Sequence, residues 1–309
     1  MVGVITVNFN LSRETILCLK SILQSDFVEY KIYLIDNGSE LGEYEKLKNA
    51  FLDEPKVYID RLEQNVGYVK AVNHGILSLR KMDTDYIMVM NNDTIIDQSA
   101  IYELYASLQK HKKAIVTGKV YYYDHPDILQ HTGVVFTDRR FLKTAYPGRG
   151  EKDTGQFEEE QERDSLDDVF WMFPARLIDD IGYYSPHFFL YAEQGDFARR
   201  AHKKGYKLIF TPKAKLWHKE SLTTGGGDVK SLKIMYWRGQ GSFIFLARHL
   251  KWYFFILWFF CQVPLVLLKT MVLNDSKLRR ANRATFRGYL YGLKWLFIRN
   301  ENNGYNPYI

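Results

Sequence analysis

Three polar residues, Asn91-Asn92-Asp93, follow directly on the apolar run Tyr86-Ile87-Met88-Val89-Met90. A carboxylate flanked by two amides suits a divalent cation held on phosphate, because hard cations take oxygen ligands and leave positions open to the substrate. The same residues equally suit a turn. Glu193 and Asp196 stand three apart at the opening of a helical stretch. Positions i and i+3 share a helical face, so both carboxylates can enter one pocket as acid or base, although acids at a helix start also answer the helix dipole. His218 ends a strand just ahead of Thr223-Thr224-Gly225-Gly226-Gly227, a place for a metal or phosphate contact. Asp36, in Asp36-Asn37-Gly38-Ser39, can accept from a ribose hydroxyl or a base N–H, or simply form a turn.

These residues need strands whose carboxyl ends meet at one edge of a sheet, the place where open α/β folds bind ligands. Val2 to Phe9 reads as a β-branched strand, followed by a helix from Ser12, the expected N-cap, to about Gln24. A strand over Lys31 to Ile35 comes next, and such short links require a parallel pair with a right-handed crossover. Lys56 to Asp60, Tyr86 to Met90 and Ala114 to Tyr121 read as further strands, with helices ending near Arg80 and Lys110 between them. No G-x-G-x-x-G lies near the first turn, which argues against a dinucleotide fold. Residues 137–167 read as a mobile loop or an excursion over the site, and Glu158-Glu159-Glu160 as a solvated face. Val169 to Phe173 restores order, with a helix from Pro174. Trp171 and Met172, in this apolar run, suit the core. A helix from Glu193 to about Lys204 and two strands, Leu208 to Thr211 and Ala214 to Trp217, complete an α/β body with a mostly parallel sheet and helices on both faces.

The chain has 309 residues, 46% of them hydrophobic, enough for a full core. Two cysteines exclude a disulfide framework, and the opening on an apolar strand rather than a basic, cleavable leader points to the cytoplasm. The net charge of +6 is uneven: residues 1–228 carry 29 Lys and Arg against 34 Asp and Glu, and residues 229–309 carry 13 against 2. A basic tail beside the almost wholly apolar run Trp252 to Leu268 suits an anionic membrane surface rather than nucleic acid, whose binding sites lie on polar faces. The run is near the lower length limit for spanning, so lying in the interface, re-entering, spanning and burial in a homo-oligomer are all open. The domains expected are 1–228 for the α/β body and 229–309 for the tail.

Taken together, Val7-Asn8-Phe9-Asn10, Ile35-Asp36-Asn37-Gly38-Ser39, Asn65-Val66-Gly67 with Asn73, Asn91-Asn92-Asp93, Tyr191 to Ala201 and Trp217-His218 resemble the family 2 inverting glycosyltransferases of GT-A fold over about residues 2 to 220. The nearest flavour is the rhamnosyltransferase-like branch that builds bacterial surface polysaccharides. The resemblance implies Asp36 on the pyrimidine base, Asn8, Asn10, Asn65, Gly67, Asn73 and Asn92 around the nucleotide of a UDP- or dTDP-sugar, and Asp93 holding Mg²⁺ or Mn²⁺ with His218 completing the site. It implies a glycan acceptor, free or on a polyprenyl lipid, and a place on the cytoplasmic face of the inner membrane. For that acceptor Trp171 and Met172 are candidate pocket residues, since they can pack on the apolar face of a sugar, with the core as the equal alternative. One position departs from the family pattern. Gln194 stands where the family carries an acid that commonly serves as the base, which leaves Glu193, preferred, or Asp196 for that role. If neither serves, the chain is a catalytically silent sugar- or nucleotide-binding subunit.

Overall fold

The computed structural model describes residues 1–219 and 231–309; Thr223 to Gly227 lie outside them. Strand β1 (Val2–Asn8) runs parallel between β2 (Tyr30–Asp36) and β4 (Tyr86–Met90), and β3 (Val57–Arg61) extends the β2 edge in parallel. The chain therefore leaves β1 to one side and later returns on its other side. Such a switch point opens a crevice at the carboxyl ends of the strands, here Asn8, Asp36 and Asn91.

Beyond β4 the sheet becomes mixed. Strand β11 (Phe170–Pro174) lies antiparallel between β4 and β6 (Ala114–Tyr122), and β12 (Lys207–His218) runs parallel to β6. The short strand β5 (Thr94–Ile96) pairs antiparallel with the end of β12, so Thr94 sits opposite His218. What reads in sequence as two strands before His218 is one strand with a register shift between Phe210 and Lys215.

Both faces of the sheet are buried, which is why its strands are apolar on successive residues rather than alternate ones. On one face Val4 and Met88 pack with α1 (Ser12–Leu23) and α4 (Ala100–Lys110) through Cys18, Leu19, Ile22, Ile101 and Leu104. On the other, Ile5 and Val89 pack with α3 (Tyr68–Arg80) and α6 (Glu193–Lys203) through Val72, Ile76, Phe197 and Ala198. Trp171 and Met172 are fully buried, Trp171 against Tyr184 and Phe197, so neither reaches a pocket and the acceptor-pocket assignment falls. Burying side chains of this size is worth roughly 1.5–3 kcal/mol each, and the sheet centre needs that filling.

Several local expectations change. The cap of α1 is Leu11, because the Ser12 hydroxyl donates to Glu43 Oε2 at 2.6 Å instead. Glu43 lies on α2 (Leu41–Ala50), a weakly patterned helix that the periodicity does not reveal. After Pro174 only a short helix forms, α5 (Leu177–Ile181). Residues 137–167 include the hairpin β8 (Val135–Asp138) with β9 (Lys143–Ala145), and β10 (Gln161–Glu162), which pairs with β12. Their backbone is bonded into the body, while the acid run stays at the surface as expected, with Glu158 and Glu159 exposed; Glu158 also accepts from the buried Lys119 at 2.7 Å, and Glu160 faces His111 at 3.4 Å.

The tail packs on the body. Helix α7 (Leu232–His249) and α9 (Ser276–Ile298) bury Ile244 and Trp295 in the same core as Phe197. They cross closely at Gly239 and Gly288, where a Cβ would come within 2.5 and 2.4 Å of facing backbone oxygens. Between them α8 (Trp252–Val272) buries only Val266 and Thr270. It is the one helix among the described residues long and apolar enough to cross a membrane.

Candidate active site

A cavity of about 620 Å³ lies outside the carboxyl ends of β1 and β4 and is closed over by α7. Its floor is set by a buried knot. Asn8 Nδ2 donates to Asp36 Oδ1 at 2.8 Å and to Ser39 Oγ at 3.0 Å, while Asn8 Oδ1 accepts from Thr15 Oγ1 at 2.9 Å. Asp36 is completely buried, with Arg61 Nε 3.6 Å from its other oxygen. Asn8 and Asp36 therefore brace the floor and do not line the cavity. The neighbour Asn37 lines it instead, its carbonyl taking the Val66 N–H at 3.0 Å and its amide donating to Asn65 at 3.1 Å. Gly67, left-handed at φ +87°, lies so close under the Phe189 ring that a Cβ would meet it at 2.5 Å.

Asn10 and Asn73 also stand away from the wall. Asn10 is a left-handed turn residue whose Oδ1 caps Glu40 N at 2.8 Å. Asn73 makes a two-bond latch to the Tyr184 backbone, at 2.9 Å each way, tying α3 to the loop before α6. Of the expected donor residues, Asn65, Gly67 and Asn92 line the cavity, Asn92 with its amide on Thr15 Oγ1 at 2.8 Å.

Asp93 and His218 do meet. The pairing of β5 with β12 brings His218 Nε2 to 3.2 Å from Asp93 Oδ1. His218 Nδ1 is 2.8 Å from the Gln130 carbonyl oxygen, so Nδ1 carries the hydrogen, and Asn91 Nδ2 lies 3.4 Å from Nε2. In the neutral ring Nε2 is then a lone pair facing a carboxylate, an arrangement that asks for a cation or a proton between them. Two ligand bonds of about 2.1 Å at right angles put their atoms about 3 Å apart, so the spacing fits one shared divalent cation. No group of three or more His, Cys, Asp or Glu is placed to hold a metal ion among the described residues, and a cation here would take its remaining ligands from phosphate and water, as Mg²⁺ commonly does.

Opposite stand the carboxyls. Strand β11 is antiparallel to β4, so its entry, Asp167-Asp168, meets the exit of β4, with Asn91 N donating to Val169 O at 2.9 Å. Asp168 accepts from Tyr68 and Tyr184 hydroxyls at 3.2 Å each. Burial first, and the nearby Asp167 charge second, push the Asp168 carboxyl up to about 7. Glu193 is buried too, its Oε2 without a hydrogen-bond partner among the described residues, and burial together with Asp168 pushes it well above the usual carboxylate range. Backbone conformation aims it: Tyr191 and Ala192 are both left-handed, at φ 68° and 71°, immediately before α6. Two successive non-glycine residues in that region cost free energy and persist only when surroundings hold them. Helix α7 does so, with Gly241 against Tyr191 O and Arg238 over the Tyr191 ring at 5.1 Å.

Asp196 points elsewhere. One turn along α6 it is fully buried, with Arg248 Nε and His249 Nε2 each 2.8 Å from Oδ1 and Arg200 Nε 2.8 Å from Oδ2. Lys203 Nζ lies 3.2 Å from His249 Nδ1 and can only donate, so Nε2 carries the hydrogen given to Asp196. Burial opposes the Asp196 charge, but His249, Arg200 and Arg248 outweigh it and hold the carboxyl far below its ordinary range. The shared face expected of Glu193 and Asp196 thus splits into a cavity group and an ion cluster that fastens α6 to α7. The periodicity could not choose between them, because two of the three partners, Arg248 and His249, lie about fifty residues further along the chain.

Tyr68, His131, Tyr146, Arg149, Asp168, Trp237 and Arg238 line the same cavity without having been singled out from sequence. The acidic pair just before an apolar strand was a legible signal for Asp167 and Asp168. Nothing local marks Trp237 and Arg238, which arrive on α7.

Mixed sheet, helices on both faces and polar strand ends around one cavity define an α/β protein of GT-A type. The chain belongs to glycosyl transferase family 2, whose sequence profile matches residues 3–182. It is 24% identical over 209 residues to the poly-beta-1,6-N-acetyl-D-glucosamine synthase of Staphylococcus aureus, covering 67% of this chain and 47% of that protein. It is 27% identical over 127 residues to the glycosyltransferase GlyG of Streptococcus pneumoniae, 41% of each. The chain thus spans about half or less of the curated relatives it matches. Among solved structures it is similar to GalNAc-T7 with UDP, GalNAc and Mn²⁺, with a TM-score of 0.62, 15% identity and coverage of 96% of this chain and 56% of that one. It is also similar to TarS of S. aureus, with a TM-score of 0.53, 12% identity and coverage of 90% and 41%.

Proposed function

We propose that the chain is an inverting glycosyltransferase that moves a hexosyl or deoxyhexosyl group from a UDP- or dTDP-sugar to a glycan carried on a polyprenyl lipid, in the assembly of bacterial surface polysaccharide. The observation that carries this reading is the convergence, in one cavity, of the Asp93–His218 pair and the buried carboxyls of Glu193 and Asp168. Asn37, Asn65 and Gly67 would receive the nucleoside, and Asp93 with His218 would hold Mg²⁺ or Mn²⁺ against the diphosphate. The cation supplies charge neutralisation for the leaving diphosphate. Glu193 takes the proton of the acceptor hydroxyl, the acceptor oxygen forms its bond to the anomeric carbon, and the bond from that carbon to the diphosphate breaks, its electron pair leaving with the nucleoside diphosphate. A single displacement inverts the configuration. Burial and the neighbouring Asp168 raise the Glu193 carboxyl above its ordinary range, and a raised carboxyl is, once ionised, a stronger base toward the acceptor hydroxyl.

The basic tail and the exposed α8 support a position on the cytoplasmic membrane surface, with anionic lipid adding about 1 kcal/mol for each Lys or Arg close to it. Gln194 favours a second reading, a binding subunit without turnover. Release of nucleoside diphosphate by the full chain, from a panel of UDP- and dTDP-sugars with and without Mn²⁺, separates the two. Asp93→Ala is expected to abolish the Mn²⁺-dependent release with the fold retained. Unchanged metal dependence in that variant would sink the site assignment, and binding without release by the wild type would favour the silent subunit.

A further inference from the structure

A second cavity, of about 570 Å³, lies between the β8–β9 hairpin and helices α7 and α8. Phe136, Phe141, Phe245, Leu246, Leu257 and Cys261 give it an apolar wall, and among the described residues Lys143 and Asp167 are the charged ones that line it. It adjoins the active-site cavity, with Tyr146, Asp167 and Gln194 lining both. On its outer side it runs into the bare flank of α8, where Ile256, Leu257 and Phe260 are exposed. Phe141 on the hairpin touches Phe254 on α8, ring centroids 5.5 Å apart, and bridges the groove there.

We infer that this groove seats the hydrocarbon chain of the lipid-linked acceptor, a polyprenyl phosphate, and delivers the attached glycan to Glu193. The assignment rests on the transferase reading above. An apolar groove that runs from an exposed apolar helix to the border of a polar reaction cavity suits an occupant with both characters, which a hydrocarbon chain bearing a phosphate-linked sugar has. A phospholipid acyl chain fits the wall but brings nothing for the cavity to act on. Lys143 has the charge to meet the phosphate. Gln194 stands at the junction with its side-chain carbonyl oxygen buried and, among the described residues, unpartnered, able to accept a hydrogen bond from an acceptor hydroxyl but not its proton. The residue that breaks the family pattern thereby becomes a positioning residue for the acceptor.

Cys261 on the groove wall reports occupancy. It is exposed, whereas the other cysteine, Cys18, is fully buried with its thiol pushed up to about 12 by burial, so only Cys261 reacts with a maleimide. In the experiment the full chain, in nanodiscs of phosphatidylcholine and phosphatidylglycerol, is labelled with and without undecaprenyl phosphate, Cys261→Ser giving the background. UDP binding is measured on the same samples. At about ten times its dissociation constant, undecaprenyl phosphate is expected to slow labelling about tenfold, since the free fraction falls as 1/(1 + [L]/Kd). Unchanged labelling with UDP still bound overturns the groove and leaves the transferase reading standing. Labelling already blocked in discs without undecaprenyl phosphate also overturns it, because bulk lipid then fills the space. Protection without UDP binding upholds the lipid groove and strikes the donor site instead.

Discussion

Replacing Asp196 with Asn tests the division of labour on α6. The carboxylate takes three charge-assisted bonds of 2.8 Å, from Arg200, Arg248 and His249, in a fully buried setting. An amide keeps one acceptor and turns two N–H groups toward groups that are themselves donors. Removing one member of such a buried cluster costs about 3–5 kcal/mol, because the remaining charges stay buried without their partner. At about 2.1 cal/mol/K of unfolding entropy per residue, a chain of 309 residues has roughly 0.65 kcal/mol/K, so the melting temperature should fall by about 5–8 °C. Glu193→Gln is the contrast: it removes a buried acid without a partner on Oε2, so the melt should hold or rise while turnover drops about a hundredfold or more. Thermal melts and single-turnover release of nucleoside diphosphate, on both variants, read the two effects separately. If Asp196→Asn melts like the wild type and loses turnover as Glu193→Gln does, the ion cluster is not structural and the base has been misassigned.

The Asp168 carboxyl, raised from 3.8 to about 7, holds its proton in the fold after the unfolded chain has lost it. Its stabilising contribution is complete below the unfolded value and drains away as pH rises toward about 7. Asp168→Asn should therefore gain melting temperature over the wild type at pH 8 more than at pH 5, and an equal gain at both would contradict the assigned protonation. Gly241→Ala places a Cβ 2.5 Å from Tyr191 O, so it should cost about 1–3 kcal/mol by overpacking and lower turnover by shifting the strained turn ahead of Glu193; a variant of native stability and rate would show that α7 does not hold that turn. A chain cut at Asp228 loses Ile244, Trp295 and the Arg248 and His249 partners of Asp196, and is expected to be insoluble or to lack a cooperative melt. A soluble, UDP-binding fragment would instead make residue 228 a domain boundary.

Much of the fold was legible because it is written in short-range pattern. Continuous apolar runs ending in Asn or Asp marked β1, β2 and β4, and the lengths of the links fixed their parallel pairing. Asp93 and His218 could be named from their places at strand ends, since a strand end is a local property. Their meeting at 3.2 Å was settled by the pairing of β5 with β12, across 125 residues of chain. Side-chain direction was the other thing that sequence left open. Trp171 and Met172 had the chemistry for a sugar and went to the core; Asn8, Asp36 and Asn73 had the chemistry for a nucleotide and became braces. Glu193 and Asp196 share a helix and a residue class, yet one faces a cavity and the other an Arg–His cluster brought by α7. A local sequence determines which groups are present and how often they recur along an element. Which of them meets water, a charge or a neighbouring helix depends on surfaces contributed from elsewhere in the chain, and only the tertiary structure decided that.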